Sequence, residues 1–388
     1  MKNIKFLFVL FIALFAPLFL FAKIQTGAAQ IDKYISLLKN KKVAIVANQT
    51  TEINGVSLID TLLHYNITFH SIFSPEHGFR GTADAGESVK DGKDRKTGIP
   101  VVSLYGNNRK PQAHQLEGVD IMIFDLQDVG ARFYTYISTL EYVMEACAEQ
   151  NIPLLILDRP NPMGHVIDGP VLDPKFRSFV GMQAIPILHG LTVGEYARML
   201  VGEKWLKTKK ELNLTIIPLT NYTHDTPYHL PISPSPNLKN MAAIYLYTST
   251  CFFEGTPISL GRGTQHPFQM FGHPSFKNMP YKFVPNSLPG ARKPPLQNQT
   301  CYGRFITDDV EEAYLLTKDG INLAYIIEAY QAYPKKQEFF TSFFNLLAGT
   351  DALQNQIKKG WSQQLIKKSW EEDLNAYKKI REKYLLYP

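Results

Sequence analysis

Residues 121–161 read IMIFDLQDVGARFYTYISTLEYVMEACAEQNIPLLILDRPN, and the fold class is decided here. Residues 121–126, apolar but for Asp125, read as a strand. Leu140, Val143, Met144 and Cys147 then recur at i, i+3, i+4 and i+7, the buried stripe of a helix, and residues 153–157 are a second strand, apolar throughout. Strands apolar on both faces and joined through a helix build a parallel sheet covered on both sides. Toward the N-terminus the pattern repeats: residues 43–47, 67–73 and 101–105 read as strands, and Leu58, Leu62 and Leu63 suit a helix between the first two. Toward the C-terminus, residues 221–240 turn to Pro, Ser, Thr and His, including Pro231, Pro234 and Pro236, and mark a boundary or crossing loop. Beyond it, an irregular Pro-rich loop (274–295) and helical periodicity at 324–330, 339–347 and 365–384 describe a second, α+β domain.

Composition agrees with two folded domains. A chain of 388 residues, 45% apolar and 20% charged, has enough apolar surface for more than one core, which excludes wholesale disorder. The balance of 41 basic and 35 acidic side chains, +6, is mild, and the lysine runs suit solvated helix faces, so no nucleic-acid partner is expected. Residues 1–22 carry Lys2 and Lys5 before an apolar run, the pattern of an export leader. The expected product is periplasmic or secreted, with no membrane contact once the leader is removed. Cys147, Cys251 and Cys301 show no C-x-x-C spacing, which argues against structural zinc; Cys147 reads as a buried, inert thiol.

Ligands of an open parallel sheet bind beyond the carboxyl ends of its strands. Those positions are loaded with polar groups: Asn48 and Gln49 after the first strand, Glu76 and His77 after the second, Asp125, Gln127 and Asp128 after the fourth, and Asp158, Arg159 and Asn161 after the fifth. Glu76 and His77, held between Pro75 and Gly78, sit on a tight turn that presents rather than buries them, as a general acid or base requires. Asp125 and Asp128 beside Arg132 suit either a site or an ion-paired corner, and residues 158–161 suit helix caps and turns as well as a site. No G-x-G-x-x-G, P-loop lysine motif, G-x-S-x-G or H-E-x-x-H occurs, so neither a cofactor nor a metal is expected.

Four strings carry a resemblance: FSPEHGFRGTADAGE (73–87), FDLQDVGARFYTY (124–136), LDRPNPMGH (157–165) and FEGTPISLGRGTQHPF (253–268). Together, and in this order, they resemble the exo-β-N-acetylmuramidase family of bacterial cell-wall glycosidases. The resemblance implies a Rossmann-like, doubly wound, mostly parallel catalytic domain (23–240) and a smaller α+β domain (241–388) closing the cleft. It implies release of terminal N-acetylmuramic acid (MurNAc) from non-reducing ends of peptidoglycan fragments, with MurNAc–N-acetylglucosamine (GlcNAc) sugars as partners and Glu76 as catalytic acid or base. Glu254, Thr256 and Arg262 fall on the lid side.

Glycoside hydrolysis uses two carboxyl groups about the scissile bond. Glu76, with His77 orienting it, is the first; for the second the order is Asp128, Asp125, then Glu254, with the substrate's acetamido group as the alternative. The lactyl carboxylate of MurNAc calls for a cation, with Arg80, Arg132 and Arg262 as candidates. Tyr134, alternating with Tyr136, is a candidate for stacking on a sugar; Asn48, Gln49, Gln127 and Asn161 complete the expected contacts. Two rival readings are a non-catalytic glycan-binding protein and a metal-dependent hydrolase of decorated glycans.

Overall fold

A computed structural model describes residues 23–79 and 91–388. The expected leader (1–22) and residues 80–90, which include Arg80, lie outside the described residues.

The central sheet has seven strands: β1 (Lys42–Ala47), β2 (Thr68–Ser74), β3 (Gly92–Lys93), β4 (Pro100–Ser103), β5 (Ile121–Asp125), β6 (Leu154–Leu157) and β7 (Leu214–Ile217). Their order is β3-β4-β2-β1-β5-β6-β7, all parallel except the short edge strand β3. With β3 set aside, the parallel strands run 3-2-1-4-5-6 in chain order, the doubly wound arrangement. The alternation along β1 shows why both faces must be covered. Val43, Ile45 and Ala47 join the core beneath helix α1 (Leu58–His64), while Ala44 and Val46 join the opposite core with α2 (Tyr136–Gln150) and α3 (Val193–Gly202). The order of strand addition switches side between β1 and β5, so the crevice opens beyond their carboxyl ends.

The five expected strands and the α2 stripe are present within a residue or two. β7, sequence LTII, was not foreseen because its burial is only partial and no apolar run marks it. Residues 221–240 form turns, and α4 (Met241–Thr250) follows, buried at every position. A helix apolar all round belongs to an interior, and here it is the joint between the two halves.

The C-terminal part has a three-stranded antiparallel sheet, β8 (Met270–His273), β9 (Tyr281–Phe283) and β10 (Cys301–Phe305), ordered β8-β10-β9. The expected 274–295 loop therefore contains an edge strand. Helices α5 (Val310–Thr317), α6 (Ala324–Ala332), α7 (Ser342–Ala348), α8 (Ala352–Lys358), α9 (Gln363–Lys368) and α10 (Glu371–Arg381) complete the chain. The periodicity over 365–384 is thus split into α9 and α10. Ser369 turns its hydroxyl back onto the Ile366 carbonyl at 2.6 Å, and Trp370 is buried at the break.

One apolar core runs from Ala44 in β1 through α2 and α4 to Tyr377 in α10. The chain end also returns to the first sheet: the Tyr387 hydroxyl donates to Asp158 Oδ2 at 2.6 Å, and the Leu386 N–H donates to Glu195. Among the described residues no helix is long and apolar enough to cross a membrane.

Candidate active site

After β2 the chain reverses in four residues, with the Gly78 N–H donating to the Pro75 carbonyl at 3.1 Å. His77 takes φ 72° and Gly78 φ 74°. A left-handed histidine costs on the order of 1–3 kcal/mol and persists only where its surroundings hold it; here His77 is buried, contrary to the expectation that the turn presents it along with Glu76. The strained turn leaves Glu76 half-buried and facing a cavity of about 250 Å³.

Thr135 secures the carboxylate. It occupies the cap position of α2, where a threonine usually bonds to the helix backbone, yet its hydroxyl makes no capping bond and instead donates to Glu76 Oε2 at 3.2 Å. Sequence reading passed over Thr135; a Thr directly before the apolar stripe of α2 was a signal, but one that pointed to capping.

The crossing loop forms a wall. The Pro234 carbonyl accepts from the Tyr134 hydroxyl at 2.9 Å, the Tyr136 hydroxyl at 3.3 Å and Gln49 Nε2 at 3.1 Å, and Ser235 lines the cavity. Asn48 Nδ2 donates to the Tyr136 hydroxyl at 2.9 Å. Both tyrosines are buried and meet edge to face at 4.8 Å, with Tyr136 already in α2. Both rings line the Glu76 cavity, Tyr134 from the loop before α2 and Tyr136 from its first turn. Asn48 and Gln49 position this wall.

The opposite wall comes from the C-terminal part. Arg262 Nε and Nη2 both bond to Glu254 Oε1, at 2.9 and 2.5 Å, and the guanidinium lies 5.0 Å from the Phe268 ring centre. Glu254 and Arg262 line the Glu76 cavity and also an adjoining, more open one of about 770 Å³, which includes Thr256 but not Glu76. The smaller cavity is the one that Glu76 and Glu254 share.

Other expected site residues lie elsewhere. Arg159 grips Asp125 through Nε–Oδ1 at 2.5 Å and Nη2–Oδ2 at 2.9 Å, with both side chains buried, so this carboxylate is the ion-paired corner. Gln127 Nε2 clasps the Asp128 and Pro160 carbonyls, and Asn161 holds a turn through the Met163 N–H and the Leu191 carbonyl. Arg132 is sealed inside, donating to the carbonyls of Pro170, Ile185, Leu347 and Ala348, with no bond to Asp128 and none of its atoms on the Glu76 cavity. A cation committed to four carbonyls is a structural brace.

Asp128 is buried and does not line the Glu76 cavity. Its Oδ2 accepts the Gly130 N–H at 2.7 Å, while Oδ1 has no partner among the described residues. The nearest base, His189, lies 3.9 Å away and accepts the Leu191 N–H on Nδ1, so its neutral ring carries hydrogen on Nε2. Burial pushes the Asp128 carboxyl up to about 7, against the pull of the Gly130 and Val129 N–H groups, and pushes His189 down to about 3. A carboxyl raised above its unfolded value of about 3.9 favours the fold at low pH and loses that contribution as pH climbs through 7. Asp128→Asn is accordingly expected to raise the melting temperature at pH 8 and to flatten its decline between pH 4 and 7, with hydrolysis retained. A lower melting temperature at pH 8, or lost hydrolysis in a folded variant, would contradict the structural role.

Among the described residues no three His, Cys, Asp or Glu side chains gather as a metal site. Residues 43–242 match the N-terminal family of exo-β-N-acetylmuramidase NamZ, and residues 245–387 match its C-terminal family. The chain belongs to the exo-β-N-acetylmuramidase NamZ family. A NamZ relative, the peptidoglycan β-N-acetylmuramidase of Bacillus subtilis (strain 168), is 38% identical, with 94% of this chain and 92% of that protein covered. Two crystal structures of DUF1343 family proteins from Bacteroides fragilis NCTC 9343 share the NamZ fold seen here. One is 47% identical with a TM-score of 0.87, the other 27% identical with a TM-score of 0.76; each comparison covers 94% of this chain and 99% of the other.

Proposed function

We propose that this chain is an exo-acting glycoside hydrolase that releases terminal β-linked MurNAc from the non-reducing ends of peptidoglycan fragments. Membership of the NamZ family supports the reaction class, and the observation that carries the site is the pairing of Glu76 with Glu254 across one small cavity. At about 250 Å³ it lies below the usual range for ligand pockets, suiting one terminal sugar, with the open compartment beyond it for the rest of the chain.

In this mechanism Glu76, steadied by Thr135, gives its proton to the departing glycosidic oxygen. Glu254 is the second carboxylate. Both Arg262 bonds fall on Oε1, which leaves Oε2 to take a proton from water or to face the anomeric carbon. Asp128 and Asp125, ranked above Glu254 from sequence, do not line the cavity. Among the described residues Arg262 is the arginine that does, and the lactyl carboxylate is assigned to its remaining N–H groups. Export by the apolar leader, to the periplasm or beyond the cell, belongs to the same proposal; peptidoglycan lies outside the cytoplasm, and fractionation of a tagged chain tests it.

The deciding assay compares chromogenic β-MurNAc and β-GlcNAc glycosides, with and without chelator. MurNAc release at least about tenfold faster in kcat/KM, as one charge-assisted contact allows, and indifferent to chelator, is expected. Saturable binding without product would favour a glycan-binding protein, and chelator-sensitive release a metal-dependent hydrolase.

A further inference from the structure

We infer that Phe343 is the platform for the leaving sugar: its ring takes the apolar face of the GlcNAc beyond the scissile bond and makes the enzyme selective for a closed-ring aglycone. The inference rests on the proposed function.

Phe343 stands where that sugar has to pass. Glu76 and Glu254 both line the inner cavity, so terminal MurNAc seated there puts the next sugar toward the outer compartment. Among the described residues three side chains line both compartments: Glu254, Arg262 and Phe343. The first two are joined as an ion pair, and Phe343 is the apolar member of the seam.

The neighbouring rings are already engaged with one another. Phe253, on the outer wall, stacks on Phe271 with ring centres 5.0 Å apart, and in the inner cavity Tyr247 and Phe268 meet edge to face at 5.0 Å. Phe344, next in the chain, contacts both Phe252 and Phe340. Phe343 packs part of its surface against the core and is half-buried, yet among the described residues no other ring meets it. A ring that borders two cavities and is covered by no partner has surface to offer a ligand.

Its place is fixed at both ends of α7. Ahead of Phe343, the Thr341 N–H and hydroxyl both donate to the Gly255 carbonyl, at 2.9 and 3.1 Å, and Gly255 directly follows Glu254. Behind it, Arg132 donates to the Leu347 and Ala348 carbonyls at 3.1 and 2.7 Å. The ring is therefore held in register with the second carboxylate, and a surface ordered in advance loses little freedom when substrate arrives.

A β-linked GlcNAc carries its substituents equatorially, so each face of the pyranose is a patch of axial C–H groups. Such a patch suits an aromatic face, through dispersion and through the slight positive charge of its hydrogens. Opening the ring to the alditol destroys the patch but keeps the oxygen that departs.

The test measures kcat/KM for release of MurNAc from MurNAc–GlcNAc and from its borohydride-reduced form, in which the GlcNAc is an open-chain alditol. Wild type is expected to favour the closed ring by about three- to tenfold, the contribution of one aromatic contact. Phe343→Leu, melted beside wild type to establish that it folds, should bring the ratio close to one, and Phe343→Tyr should keep it. If the leucine variant does not fold, Phe343→Met, whose flexible chain fills irregular space, is measured in its place. A merely structural role for Phe343 would lower both rates together and leave the ratio standing. Equal rates on the two substrates in wild type, or a preference that survives without the ring or vanishes with tyrosine in its place, would overturn the inference while MurNAc release upholds the function. No cleavage of either substrate by wild type would overturn both.

Discussion

Glu76→Gln is expected to lower kcat on MurNAc–GlcNAc by about 10²–10⁴-fold, the usual contribution of a positioned general acid, with the melting temperature unchanged. Gln is isosteric, its amide oxygen can still accept the Thr135 hydroxyl, and position 76 is only half-buried, so the fold has little reason to respond. The size of the loss should depend on the leaving group. A nitrophenolate departs without a proton, so an aryl β-MurNAc glycoside should suffer less than the disaccharide if Glu76 is the acid. Equal and deep losses on both would instead make it the nucleophile, and its partner the acid. A folded variant that retains more than about a tenth of wild-type kcat on the disaccharide would remove Glu76 from the reaction.

The second large effect lies away from the chemistry. Arg132→Met is expected to cost about 3–5 kcal/mol of stability, because buried carbonyls left without a donor cost about 1–3 kcal/mol each before relaxation. Four carbonyls, two of them at Leu347 and Ala348 in the C-terminal part, would lose their donor together. Gly349 is part of the same fit: its φ is 76°, and a Cβ there would meet Arg132 Nη2 at 2.4 Å. Denaturant unfolding of wild type and variant measures the difference. A loss below about 1 kcal/mol, no more than an ordinary hydrogen bond contributes, would show that the brace is dispensable, and a stable variant unable to distinguish MurNAc from GlcNAc would return Arg132 to the list of lactyl contacts.

The sheet was legible because buried parallel strands leave unbroken apolar runs, and the α2 stripe because a long helix repeats its period several times. β7 and α4 were not: one is half-exposed, the other apolar on every side and so without a period. At the site, the rigid turn that displays Glu76 could be read from Pro75 and Gly78 alone. What sequence could not separate was a polar residue that faces the cavity from one that holds the scaffold. Asp125, Asp128, Gln127 and Asn161 stand at the expected strand ends, but Arg159, backbone N–H groups and carbonyls far along the chain claim them. Thr135 shows the reverse error, a cap by position that serves the carboxylate instead.

The shared core described above bears on how such a protein can change over generations. Because α4 is buried on every side and the core crosses from β1 to α10, the two halves share one apolar interior. Neither half can be lent to another gene as a spare part without exposing that helix. New substrate preferences must therefore arise by point changes along the cavity walls, not by exchange of one half for a foreign partner.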